Sequence, residues 1–235
     1  MNGSWINEIH NSEGKNSMAH GSNPTLTREA FETSRLLDFF SERELVAQTG
    51  HSTAWWPEMV VKELVDNSVD AMEQAGTPPT VSITVTDESI TVTDAGPGIP
   101  ESTLQATLDY SVRVSTNSKY ISPTRGSQGN ALKAIVALPY VLDGKSGLLE
   151  VSTGGKGYEI TVKTDPIQQK PVIKLSNSKP PKVKNGTSVR VHWPVSSCLH
   201  LTDENSEFLP LARGFAMLNP HLTVKVTAPQ GTFKC

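Results

Sequence analysis

The stretch WWPEMVVKELVDNSVDAMEQAG, Trp55–Gly76, decides the fold. Pro57 suits the first turn of a helix, and Gly76 suits its C-terminal end. Between them, Val61, Leu64, Val65 and Met72 fall on one side of a helical wheel and would pack on a sheet. Glu63, Asp66, Asn67 and Asp70, spaced i, i+3, i+4 and i+7, form a polar stripe. Such a stripe is either the solvated face of an amphipathic helix or a chemical surface. Asn67 points to the second, because Asn is a mediocre helix former and its amide oxygen beside carboxylates suits a hard cation. Glu63 lies one turn away, where it could take a proton from water.

Outward from this helix the pattern changes period. PTVSITVTDESITVTDAG (Pro79–Gly96) alternates every second residue on both sides of Asp87-Glu88, which predicts a β-hairpin. Upstream, LTREAFETSRLLDFFSERELVAQTG (Leu26–Gly50) has helical spacing with a stop at Gly50. Downstream comes a polar connection, Asp109 to Arg125, of a length that is often functional. A helix is expected from about Gly129 to Ala137. Strand-like runs follow at LLEVST, YEITVKT, PVIKLSN and GTSVRVHW, then a helix near Glu204–Met217 and a final strand, LTVKVTA. Helices preceding a run of antiparallel-looking strands predict an α+β layer rather than a doubly wound sheet. Residues Met1–Pro24, rich in Asn, Ser and Gly without periodicity, read as a disordered arm.

Composition narrows the function classes. The 235 residues are 36% hydrophobic and 19% charged, as in a globular protein with room for a sizeable core. No apolar run approaches the roughly 18 residues a membrane-spanning helix requires. Two cysteines, Cys198 and Cys235, offer no disulfide framework or metal spacing, which makes a reducing cytoplasm the default expectation. A formal charge of −3 argues against a generally basic, DNA-coating surface.

Three further fragments carry chemistry. DAGPGIP (Asp94–Pro100) follows a strand, and Gly96 and Gly98 around Pro97 make either a tight turn or a place for close backbone approach. On the functional reading Asp94 accepts a hydrogen bond from an exocyclic amine, at a strand end where a flat ring could enter. TRGSQGNALKA (Thr124–Ala134) is a glycine-bearing loop before a helix, whose free N–H groups suit phosphate oxygens. It lacks the spacing of a Walker loop. NGTSVRVHW sets Thr187 at the mouth of a strand and, taken alone, is a turn into a sheet.

The order of these pieces resembles the GHKL ATPase superfamily, which joins gyrase-type topoisomerases, heat-shock chaperones, histidine kinases and MutL-type repair proteins. The likeness runs from about Leu36 to Thr232. KELVDNSVDA, DAGPGIP, NSKYISPTRGSQG and MLNPHLTVKVTAPQG are most similar to the ATPase domain in the B subunit of type IIB topoisomerase VI, and SERELVAQTGHSTAWWPEMVVKEL also resembles bacterial or mobile-element ATP-binding proteins related to that subunit. The resemblance implies a Bergerat fold: a two-layer sandwich of a mixed, mostly antiparallel sheet with helices on one face, here over residues 25–235 without a transducer domain.

It also implies ATP and Mg²⁺ as cofactors. Glu63 would be the general base, and Asn67 would bind the magnesium. Asp94 would bind the adenine amino group, aided by Thr187 through a water. Gly96 and Gly98, with Ile99 beside them, would let the backbone approach the nucleotide. Gly126, Ser127, Gln128, Gly129 and Asn130 would wrap the phosphates, with Lys119 and Lys133 as supporting charges. Expected partners are a second copy joined by ATP and a DNA-cleaving subunit, with DNA reached through it and no membrane. Ala95 and Asn130-Ala131 depart from the usual family pattern. Slow hydrolysis is expected, because in the topoisomerase a phosphate-sensing lysine comes from the transducer domain. The alternative is a regulatory nucleotide-binding module with little turnover. A histidine-kinase role is disfavoured, since neither His20 nor His51 lies in a dimerising helical hairpin.

Overall fold

The computed structural model describes residues 40–110, 131–165, 167, 170–178 and 181–235. Lys119, Gly126, Ser127, Gln128, Gly129 and Asn130 lie outside these residues, as does the proposed N-terminal arm.

Helix α1 (Glu42–Thr49) starts at Ser41, whose hydroxyl accepts the Glu44 backbone N–H, and ends at Gly50, whose N–H bonds the Val46 carbonyl. The S-x-x-E spacing of Ser41 and Glu44 is a helix-start signal inside what the sequence pattern presents as one longer helix. Helix α2 (Trp56–Gln74) has Pro57 in its first turn. It ends in a Schellman motif, with Gly76 N–H on the Glu73 carbonyl and Thr77 N–H on that of Met72.

Strands β1 (Thr80–Val85) and β2 (Ser89–Asp94) form the expected antiparallel hairpin. Helix α3 (Glu101–Thr107), which the sequence pattern does not reveal, follows the glycine turn. Helix α4 (Ala131–Asp143) runs past the expected end at Ala137 because Leu138 and Pro139 are buried. Burying each such apolar side chain contributes about 1.5–3 kcal/mol, comparable to the roughly 3 kcal/mol an internal proline costs a helix.

Strands β3 (Ser146–Thr153), β4 (Lys156–Asp165), β5 (Lys170–Ser178) and β6 (Thr187–His192) match the predicted runs. The expected helix at Glu204–Met217 is instead a short α5 (Leu199–Thr202) and then α6 (Phe208–Leu218). Strand β7 (Thr223–Ala228) is joined by a further strand, β8 (Gly231–Lys234).

These eight strands form one sheet in the order β5-β4-β3-β6-β2-β1-β7-β8. Among the described residues only the β1–β7 pairing is parallel, so the sheet is mixed and mostly antiparallel. Val81, Ile83, Ile90, Val92, Leu149, Val151, Val189, Val191, Val224 and Val226 supply its buried face, and α2, α4 and α6 cover it. The alternation of β7, with Thr223, Lys225 and Thr227 exposed, shows the other face polar. This is the α+β, helices-on-one-face architecture that the sequence predicts.

Helix α2 departs from a simple amphipathic helix. Val61, Val65 and Met72 are fully buried and Leu64 nearly so, as expected. Asp66 and Asp70 are also buried, while Asn67 is exposed. The four polar residues therefore form no uniformly solvated face: the helix forms one wall of a cavity, and its carboxylates sit within that wall.

Candidate functional site

A cavity of about 1060 Å³ opens between α2 and the strand ends that face it. Glu63, Asn67, Asp94, Gly98, Ile99 and Thr187 all line it, so residues predicted from three separate fragments meet in one space. Gly96 is not on the wall but supports it, donating its N–H to the Asp94 carboxylate at 2.9 Å. The volume is at the upper end of small-molecule sites.

The sheet order explains the convergence. Strands β2 and β6 are antiparallel neighbours, so the C-terminal end of β2, at Asp94, meets the N-terminal end of β6, at Thr187. Strand β3 flanks β6 with Thr153 opposite Thr187, which brings a third strand end to the same place. The middle of α2 lies above them, and Ser68 reaches down to the β2 terminus.

Asp94 has three donors. Its Oδ1 accepts the backbone N–H of Gly96 at 2.9 Å and of Thr187 at 3.0 Å, and its Oδ2 accepts the Ser68 hydroxyl at 3.0 Å. Burial pushes the Asp94 carboxyl above its ordinary value, and these three donors pull it part of the way back. The carboxylate is thus fixed in orientation and still only half-buried, with a face on the cavity.

At the other end, Glu63 is paired with the adjacent lysine. Lys62 Nζ lies 3.0 Å from Glu63 Oε1 and 2.9 Å from Asp66 Oδ2. Burial pulls the Lys62 ammonium down, but its hydrogen bonds and charge pairing with Asp66 and Glu63 outweigh that and hold it above the ordinary lysine value. Half of the Lys62 side chain is exposed, so the pairing contributes no more than about 1 kcal/mol.

The oxygen donors here are of the kind that could hold a hard cation such as magnesium. Asn67 presents an amide group to the cavity between Glu63 and Asp70, which also line it. Magnesium takes oxygen ligands and characteristically uses few protein groups, completing its shell with phosphates and water.

Lys133, expected as a supporting charge, is not among the residues that line the cavity. It is buried, and its Nζ donates to the Asp109 backbone carbonyl at 2.6 Å. Burial lowers its ammonium, with Asp109 opposing. The Tyr110 hydroxyl donates in turn to the Lys133 carbonyl at 2.7 Å. These bonds tie the end of α4 nearest residue 130 to the chain just before residue 111.

The sequence pattern does not single out Ser68, Thr153 or Gly186. Ser68 leaves a faint signal, a hydroxyl at a core position between Val65 and Met72. Gly186 has φ +82°, and a Cβ there would sit 2.0 Å from the Asp94 carbonyl oxygen. The Asn185-Gly186 pair before a strand hints at such a turn, though not at its partner. Thr153 carries no signal.

Comparison with known proteins finds one matching family and several relatives. Residues 55–197 match the family described as Histidine kinase-, DNA gyrase B-, and HSP90-like ATPase. The B subunit of type 2 DNA topoisomerase 6 from Pyrococcus horikoshii is 27% identical over 177 residues, covering 73% of this chain and 31% of the relative. Its counterpart from Thermococcus onnurineus is 29% identical with the same coverage, and that from Natronomonas pharaonis is 27% identical over 74% of this chain and 22% of its own. The chain thus spans less than a third of the length of these relatives. A solved ATP-binding domain of topoisomerase IV from Francisella tularensis, in complex with a small-molecule inhibitor, is 20% identical with a TM-score of 0.44. That match covers 76% of this chain and 85% of the other.

Proposed function

The chain belongs to the histidine kinase-, DNA gyrase B- and HSP90-like ATPase family, and from that premise we propose that its cavity binds ATP with Mg²⁺ and hydrolyses it slowly. One observation carries the proposal: Asp94 and the Glu63–Asn67 pair, from a strand end and a helix, line one continuous cavity. Asp94 takes the adenine amino group, because its carboxylate is locked by three donors and keeps an acceptor face on the cavity. Thr187, whose N–H already fixes Asp94, supports the base through a water. Gly98 and Ile99 let the backbone come close to the nucleotide.

Asn67 holds the magnesium, which when bound neutralises phosphate charge. Glu63 is the base that orients the attacking water and accepts its proton. Residues 126–130 and Lys119, outside the described structure, are proposed to wrap the phosphates.

Slow turnover is favoured by a specific contact. The Lys62 ammonium occupies Glu63 Oε1, so one acceptor of the proposed base is already engaged. The same contact supports a second reading, a regulatory module that binds ATP and turns little of it over. At the level of the whole protein we propose ATP-driven dimerisation and a gating motion passed to a DNA-cleaving partner in a cytoplasmic setting. The support is the likeness to topoisomerase 6 B subunits.

The test is calorimetric titration of the native chain and Asp94→Asn with ATP and Mg²⁺. Saturable binding in the native chain, weakened at least tenfold in the variant, is expected from replacing an acceptor that faces an amine by an amide. Equal affinities would remove Asp94 from the pocket.

A further inference from the structure

We infer that Thr153 is a positioning residue for the nucleotide: its hydroxyl stitches the Gly98–Ile99 turn to the end of β3 and so sets the cavity wall against the base. This inference rests on the ATP reading above. Thr153 ends β3 and is 2% exposed. Its Oγ1 accepts the Ile99 backbone N–H at 2.6 Å across 54 residues of sequence. The hydroxyl donates to the Ile99 carbonyl, with an oxygen–oxygen separation of 3.4 Å. One side chain therefore serves both polar groups of a residue that lines the cavity.

Gly98 makes the approach possible. Its φ is +84°, and a Cβ there would lie 2.9 Å from the same hydroxyl, 3.4 Å from the Gly154 backbone nitrogen and 3.6 Å from the Gly186 carbonyl oxygen. The turn is thus seated in a notch formed by the ends of β3 and the approach to β6. The two stitches are parallel in design. Thr187 N–H on Asp94 fixes the carboxylate, and Thr153 on Ile99 fixes the turn leaving it. Thr153 itself need not touch ATP. Without its hydroxyl the Ile99 N–H loses its acceptor, and the turn that borders the base is free to shift.

Three proteins separate this role from general packing: native, Thr153→Val, which keeps shape but not the hydroxyl, and Thr153→Ser, which keeps the hydroxyl. Each is titrated with ATP, ADP and adenosine in Mg²⁺, and its turnover is measured at saturation. Thr153→Val is expected to weaken all three ligands by about the same factor, roughly tenfold, since the turn borders the base rather than the phosphates. Its kcat stays within about twofold of native, because the effect is on binding. Thr153→Ser restores affinity. Native-like ATP affinity in Thr153→Val, or an equal loss in Thr153→Ser, overturns the inference. If Thr153→Val does not fold, Gly98→Ala, which presses on the same hydroxyl from the other side, is expected to show the same ligand-independent loss, and native affinity there overturns it. A native chain that binds none of the ligands defeats the ATP reading itself, a distinct result.

Discussion

The backbone N–H of Thr187 donates to Asp94 Oδ1 at 3.0 Å, joining the start of β6 to the end of β2 where the two strands open onto the cavity wall. The contact is between residues 93 apart in sequence, and it depends on Gly186, whose missing side chain lets the β6 approach lie on the Asp94 carbonyl. Gly186→Ala would place a methyl group 2.0 Å from that oxygen, at a backbone angle of +82°. The conformational penalty alone is about 1–2 kcal/mol, and the clash adds to it. The expected outcome is a melting temperature lower by more than roughly 4 °C, with loss of ATP binding, measured by thermal denaturation with and without nucleotide.

Asp94 gives a pH prediction. Burial raises its carboxyl above the ordinary 3.8, against the pull of Gly96, Ser68 and Thr187. A raised folded value means that the folded protein holds the proton more tightly than the unfolded chain. This group therefore favours folding at low pH, and that contribution is lost as pH rises through the folded value. ATP binding runs the opposite way, because the ionised carboxylate is the better acceptor. Affinity is expected to fall on acidification at a pH above that of an ordinary aspartate, and the fall to vanish in Asp94→Asn. Calorimetric titrations across the acid range check both.

Ser68 tunes the same group. Its hydroxyl lies 3.0 Å from Asp94 Oδ2 and favours the ionised form. Ser68→Ala is expected to cost about 1 kcal/mol of stability and to weaken ATP several-fold. It should also move the acid limb of the affinity profile to higher pH. An unmoved limb would show that the serine does not act on the carboxylate's charge.

Glu63, the proposed base, is expected to separate binding from turnover. Glu63→Gln keeps the size of the side chain and removes the proposed base, so ATP affinity should stay within about threefold while turnover falls by roughly 10²-fold or more. Lys62→Ala, which frees Glu63 Oε1, should raise turnover if the ion pair restrains the base. Steady-state phosphate release measures both.

Period-two and helical stretches are plain in the sequence, because each reports its own burial. The β1–β2 hairpin and the apolar arc of α2 are legible for that reason. Helix α3 is not, because seven residues, ESTLQAT, are too few to display an apolar stripe. Strand β8 is only four residues long. The burial of Asp66 and Asp70 does not follow from a wheel, which shows direction but not what stands opposite. Of the residues lining the cavity, Glu63, Asn67 and Asp94 stand out by residue type and spacing, whereas Thr187 is reached only through the family resemblance. Ser68 and Thr153 do not stand out, since a hydroxyl's role is set by partners 26 and 54 residues away. Lys133 shows what a fragment leaves unsaid: its amine bonds the Asp109 backbone carbonyl, a partner 24 residues away.

The most direct measurement is a crystal structure with a non-hydrolysable ATP analogue and Mg²⁺. The adenine amino group is expected against Asp94, the metal beside Asn67 and the terminal phosphate facing Glu63, all in the one cavity. An analogue bound elsewhere, or bound there with its base turned away from Asp94, would contradict that placement.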